Sequence, residues 1–260
     1  MARGKIRLDR LLLERGLAED LSKAQSLILS GSVLVNDQVV DKVGLLFAED
    51  SSVRLKEVIP KYVSRGAFKL KKAFELWNID LSDKLCLDWG ASTGGFTQVL
   101  LEQGAKNIFA FDVGYGQMVS RIAKDPRVKV IDRFHVKNIT WDILEELWKS
   151  AESSDFPEKI FLVMDLSFIS LRNVFPIVKR LHDQVPGRSW SGFSLIKPQF
   201  EVDPKFLTKG ILTDPKIRLR TVRSLLRFAR KESGIKLLSL SESPIAGADG
   251  NQEILMYWSI

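Results

Sequence analysis

The sequence holds one cysteine, Cys86, among its 260 residues, so no disulfide forms within the chain. Its neighbours Leu85 and Leu87 make it a packed strand thiol rather than a reactive one. With only two histidines beside it, a His/Cys ligand cluster is out of reach and no metal is expected. No apolar run approaches the roughly 20 residues of a membrane span. The opening Met1-Ala2-Arg3-Gly4-Lys5 lacks the apolar segment of a secretory signal, so the default address is the cytoplasm. Internal repeats and low-complexity tracts are absent as well, which argues against a repeat architecture.

What is present is an ordinary globular balance, 45% hydrophobic and 27% charged, enough for one large domain or two unequal ones. The net charge is +7. Residues 1–72 hold 14 cations and 9 acids, so most of that excess lies in the first quarter. Such an excess suits a polyanion, either nucleic acid or an anionic membrane surface.

Two short helices, over about 7–17 and 22–28, precede strands at 33–35, 39–40 and 53–55, with Asn36-Asp37 as a turn. This predicts a small α+β module over residues 1–57, followed by a connector at 58–64. From residue 65 onward strand and helix signals alternate. The pattern predicts an α/β domain over 65–260, a mostly parallel sheet with helices on both faces. The last two strands, 237–240 and 253–258, have no helix between them and should pair antiparallel at one edge.

Asp88-Trp89-Gly90-Ala91-Ser92-Thr93-Gly94-Gly95-Phe96 follows a short apolar strand and opens a helix. Glycines there let the backbone turn tightly and approach a ligand where a Cβ would collide. No Gly-Lys-Ser/Thr follows, so this is not a phosphate loop, and the spacing is not Gly-x-Gly-x-x-Gly. Asp112 ends the next strand about 20 residues on, where a carboxylate accepts ribose hydroxyls and repels a phosphate. Asp132 ends the third strand and is a candidate for the adenine side. Acids around a glycine turn suit S-adenosylmethionine, which is cationic at sulfur and carries no phosphate. A glycine turn with no ligand is the plainer alternative.

Several segments then fit one family. Gly90-Ala-Ser-Thr-Gly-Gly-Phe-Thr97, Phe111-Asp-Val-Gly-Tyr-Gly-Gln117, Asp165-Leu-Ser-Phe-Ile-Ser170, Ile196-Lys-Pro-Gln-Phe-Glu201 and Gly250-Asn-Gln-Glu253 resemble the TlyA (haemolysin A) family, as does Tyr62-Val-Ser-Arg-Gly66. These are ribosomal RNA ribose 2′-O-methyltransferases with an FtsJ-like, Rossmann-like methyltransferase domain. Arg7-Leu-Asp-Arg-Leu11, Ser22-Lys-Ala-Gln25 and Gly31-Ser-Val-Leu-Val-Asn36 resemble the RNA-binding domain named after ribosomal protein S-four. The likeness runs along nearly the whole chain. It implies S-adenosylmethionine as cofactor and ribosomal RNA or ribosomal subunits as partner. It also implies a Lys-Asp-Lys-Glu catalytic set on Lys69, Asp165, Lys197 and Glu253, with Lys197 handling the proton and the others positioning it.

The basic residues Arg3, Lys5, Arg7, Arg10, Lys23, Lys61, Arg65, Lys71 and Lys72 are read as phosphate contacts. The sequence departs from the family at Trp89, read as packing, at Arg133-Phe134-His135-Val136-Lys137, where His135 faces the substrate or, more plainly, lies at the surface, and at Thr208-Lys209-Gly210-Ile211, which lacks a second glycine. Two rival functions remain: a non-catalytic RNA-binding or assembly protein, and a membrane-active haemolysin. The four residues of the catalytic set count against the first; the missing span counts against the second.

Overall fold

A computed structural model describes residues 4–29, 31–55, 61–151, 155–247 and 250–260. Arg3 therefore lies outside the described residues. The chain divides into two compact units, 1–61 and 62–260.

The first unit runs β1 (Lys5–Arg7), α1 (Leu8–Glu14), α2 (Leu21–Leu29), β2 (Val33–Val35), β3 (Gln38–Val40), β4 (Leu46–Ala48) and β5 (Val53–Leu55). Leu8 and Leu12 of α1, and Ala24 and Ile28 of α2, recur at i and i+4. They close over Val33 and Val35 of β2. Asn36 and Asp37 both take positive φ, 48° and 64°, the two-residue turn that matches strand twist. Strands β1 and β4 pair antiparallel, Ile6 opposite Phe47. The sequence pattern missed both, because runs of three residues are too short to show a period. The helix expected from Arg7 accordingly starts one residue later.

The second unit begins sooner than the connector reading had it. Tyr62 is buried and its hydroxyl donates to Glu102 at 3.0 Å, while Val63 N–H donates to Gln98. Residues 62–64 thus belong to this unit. Its elements are α3 (Ala67–Leu76), β6 (Lys84–Trp89), α4 (Gly95–Glu102), β7 (Asn107–Phe111), α5 (Ser120–Ala123), β8 (Val128–Ile131), α6 (Trp141–Ala151), β9 (Lys159–Met164), α7 (Leu171–Gln184), β10 (Ser189–Ile196), α8 (Pro215–Ser233), β11 (Lys236–Glu242) and β12 (Ile254–Ser259). The helix expected over 117–124 shrinks to α5 because Val119 N–H is diverted to Thr93 O in the glycine turn.

Seven strands form one sheet in the order β11-β12-β10-β9-β6-β7-β8. Five are parallel; β12 lies antiparallel between β10 and β11. Side chains of β6 alternate across it. Leu85, Leu87 and Trp89 pack toward α6, α7 and α8, and Cys86 packs toward α3 and α4. Trp89 is fully buried, so it packs behind the turn as read. From β6 the chain winds one way through β7 and β8, then crosses to β9 on the other side. The carboxyl ends of β6 and β9 therefore flank the switch point, where open α/β sheets bind ligands.

Candidate active site

Gly90 leaves β6 at φ +86°, with its N–H on Phe111 O at 2.9 Å. A Cβ here would stand 2.8 Å from the backbone oxygen of Asp165, at the end of β9. Only glycine allows the two strand ends to approach so closely. Gly95 is similarly confined by Ser64, and Gly94, at φ +93°, backs onto Met118 and Ile122. The turn is thus gripped by α5 behind and by residue 64 in front.

Two connected cavities open here. One of about 640 Å³ is lined by Gly90, Ser92, Asp112, Gln117, Phe134, His135, Val136 and residues 165–169, among others. The other, about 340 Å³, is lined by Ser64–Gly66, Lys69, residues 90–93, Gly95, Phe96, Asp165, Ser167, Lys197 and Ile245–Gly247. They share Gly90, Ser92, Asp165 and Ser167, so they are two ends of one cleft.

Lys69, Asp165, Lys197 and Glu253, far apart in sequence, meet at the second end. Lys197 Nζ lies 2.7 Å from Asp165 Oδ1 and donates to Ser167 Oγ at 2.7 Å. Lys69 Nζ lies 3.7 Å from Asp165 Oδ2 and 2.6 Å from Glu253 Oε2. Charges alternate along the chain Lys197–Asp165–Lys69–Glu253. Three of the four are nearly buried, and Asp165 keeps 20% of its side chain exposed, toward the cleft. Charges this buried persist only when each is paired.

The acids of the glycine side separate into different roles. Asp112 lines the larger cavity and accepts the N–H groups of Ser92 (2.8 Å) and Gly114 (2.7 Å), one on each oxygen. A carboxylate has about four lone-pair sites, so both oxygens keep capacity for a ligand. Asp132 does not line the cleft; it accepts Gly116 N–H at 2.8 Å and so fixes the 113–116 loop. Asp88 is also off the wall. Strand alternation turns it under α4, fully buried, where Thr97 Oγ1 donates to it at 2.6 Å. Both readings as direct cofactor ligands are corrected accordingly.

Burial pushes the Asp88 carboxyl up to about 7, with Asp165 and Asp112 adding repulsion. In the folded state this group binds its proton well above the range of an unfolded Asp. Its contribution is therefore most favourable below about pH 4 and is lost as pH rises toward about 7. Asp88→Asn should remove that decline: urea midpoints measured from pH 5 to 8 would fall less steeply than in the wild type.

Sequence reasoning missed much of the wall. His135 lines the larger cavity and accepts Lys137 N–H on Nδ1. Half-buried on that wall, it stands where the substrate-facing alternative puts it and not on open surface. Phe168 stands 91% exposed at the rim at φ +62°, its ring 5.2 Å from Phe200. A bulky residue in that conformation is strained, and exposure gives nothing back in packing. No periodic signal could reveal it; its place in Asp165-Leu-Ser-Phe-Ile-Ser170 was the only pointer.

The basic residues divide as well. Lys5, Arg10, Lys23, Lys61 and Arg65 are exposed. Arg7 forks onto Asp9 at 3.0 and 2.6 Å through two of its five N–H donors and holds that carboxyl down at about 2, so its charge is already partly balanced. Lys71 and Lys72 are half-buried and share Glu75, at 3.5 and 3.6 Å. These three are weaker phosphate contacts than the sequence implied.

A seven-stranded sheet with β12 reversed, a glycine turn after β6 and an acid after β7 define a Rossmann-like methyltransferase domain. Residues 62–259 match the FtsJ-like methyltransferase family, and residues 6–49 match the S4 domain. The chain belongs to the FtsJ-like methyltransferase family, in the group with an S4 domain that includes TlyA and hemolysin A. It is 36% identical to the 16S/23S rRNA (cytidine-2′-O)-methyltransferase TlyA of Mycobacterium tuberculosis, over 99% of this chain and 90% of that one. It is 37% identical to hemolysin A of Brachyspira hyodysenteriae, over 98% and 100%. A solved structure from Streptococcus thermophilus, described as a hemolysin, superposes with a TM-score of 0.68 at 32% identity, covering 99% of this chain and 89% of that one. Among the described residues no helix is long and apolar enough to cross a membrane, and no group of three His, Cys, Asp or Glu could hold a metal ion.

Proposed function

We propose that this chain methylates a ribose 2′-hydroxyl of ribosomal RNA, with S-adenosylmethionine as donor, in the cytoplasm. The observation that carries the proposal is the Lys197–Asp165–Lys69–Glu253 chain at one end of a cleft whose other end presents Asp112. The activity in the name of the tuberculosis relative supports the same reading.

The residues fit the donor. Gly90 leaves a cradle that a Cβ would fill, Asp112 has lone pairs for two ribose hydroxyls, and no lysine or arginine lines the larger cavity to call for a phosphate. When bound, S-adenosylmethionine supplies an electrophilic methyl on a positive sulfur. Lys197 would accept the proton that the ribose 2′-hydroxyl loses, while the bound donor would supply its methyl to that oxygen and leave as the neutral thioether. Asp165 then holds the resulting ammonium, while Lys69 and Glu253 keep Asp165 in place. Phe168, exposed at the rim, offers a face on which an RNA base stacks.

Asp112→Asn keeps the shape but turns an N–H₂ toward groups that now donate to a carboxylate. Calorimetry with S-adenosylmethionine should show affinity about tenfold weaker. Wild-type affinity in that variant would remove Asp112 from the donor site.

A further inference from the structure

We infer that the outer face of α8 is a second RNA-binding surface, a track for the phosphate backbone of the same RNA whose ribose the cleft would receive. The inference rests on the proposed function for its partner. It concerns a surface that lies outside both the cleft and the S4 domain.

Helix α8 carries seven cations and one acid in 19 residues. Six of the cations, Lys216, Arg220, Arg223, Arg227, Arg230 and Lys231, are exposed. They recur at steps of four and three, so they fall on one stripe. At 1.5 Å per residue the stripe is about 22 Å long. The buried residues Val222, Leu225 and Ala229 lie on the opposite side.

A merely solvated face looks different in this same protein. On α6, Glu145 sits 3.7 Å from Lys149, and on α7, Lys179 sits 2.7 Å from Asp183, each one turn apart. None of the six stripe residues has an acid within ion-pair distance among the described residues. Like charges one turn apart repel, so the stripe costs stability in the free protein. A polyanion with regularly spaced charge removes that cost. A helix that inserts into a membrane surface turns its apolar side outward, whereas the apolar side of α8 is spent on the sheet.

Position supports the same partner. Lys197 directly follows β10, and α8 starts after the connection that leaves that strand end. It then runs back along the sheet, so the track begins at the edge that holds the cleft. Near its far end Arg227, Arg230 and Lys231 line a cavity of about 870 Å³ together with Leu226, Leu237 and Met256. Cations beside an apolar wall suit a phosphate with its sugar or base.

The test uses the full chain and a fluorescently labelled ribosomal RNA fragment, with binding followed by anisotropy across about 50 to 200 mM salt. The triple variant Arg220→Gln/Arg223→Gln/Arg227→Gln should bind at least tenfold more weakly at low salt. Its slope of log affinity against log salt should be shallower by about two. Its thermal midpoint should equal or slightly exceed that of the wild type, since like-charge repulsion is relieved, and its S-adenosylmethionine affinity should match the wild type. A control with the same charge change elsewhere, Lys106→Gln/Lys149→Gln/Lys179→Gln, should keep nearly the full slope. An unchanged slope in the α8 variant, or an equal drop in the control, overturns the inference. So does a variant that binds RNA normally but has lost binding to phosphatidylglycerol vesicles, since the face would then belong to a membrane. Methyl incorporation by the wild type is measured alongside: its absence counts against the proposed function, whereas normal incorporation with an unchanged slope counts against α8 alone.

Discussion

Lys197→Ala should lower methyl transfer at least a hundredfold, and Lys197→Arg should not restore it. The pair of variants separates two roles for the same ion pair. If Lys197 only balances Asp165, arginine supplies the same charge and a better fork, and activity returns. If Lys197 takes the hydroxyl proton, arginine fails because it does not give up its own proton in the working range. Single-turnover rates at saturating RNA and S-adenosylmethionine make the comparison without interference from binding. Lys69→Ala should cost less than Lys197→Ala, since Lys69 lies 3.7 Å from Asp165 and acts through it. The double variant should lose little beyond Lys197→Ala, as expected of groups that work as a unit.

Gly90→Ala should be nearly as severe by a different route. The residue sits at φ +86°, where a Cβ costs about 1–2 kcal/mol. That Cβ also meets the Asp165 backbone oxygen at 2.8 Å, and backbone yields less easily than a side chain tip. Relief requires moving either the glycine turn or the end of β9, which carries Asp165 and Ser167. Either shift separates the two ends of the cleft. Displacements of about 1 Å at reacting groups cost about a hundredfold in rate. Turnover should fall by that order, with about 2 kcal/mol of unfolding free energy lost in urea titration. Gly116→Ala is the contrast. That residue also has positive φ but open space around it, so strain alone should act there, with turnover near wild type.

The sheet was legible because strands buried on both faces read as short apolar runs between helical periods. The four-residue set was legible through motifs, but its geometry follows from topology: β9 and β10 end side by side, and β12 inserts Glu253 next to them. What failed to show was direction. Asp88 and Trp89 adjoin in the same motif, yet alternation sends one beneath α4 and the other into the core behind the turn. Arg7 counts as a cation in any tally, but its own neighbour Asp9 occupies it. The α8 stripe is hidden in the sequence for a related reason. Net charge concentrates in the first quarter of the chain, whereas the face formed by residues 216–231 emerges only at a helical period. At Thr208-Lys209-Gly210-Ile211 the missing glycine has a cost in place of a changed shape. Lys209 itself takes φ +50° in the turn.

The chemistry proposed for these residues is methyl transfer to a ribose of ribosomal RNA. It is tested most directly by incubating ribosomal RNA, free and in subunits, with the protein and S-adenosylmethionine, then mapping modified nucleotides by mass spectrometry. The prediction is a methyl-sized mass gain on the ribose of one or a few nucleotides, with the base unchanged, and no gain with Lys197→Ala. Methyl on a base, or gain undiminished with Lys197→Ala, would contradict it.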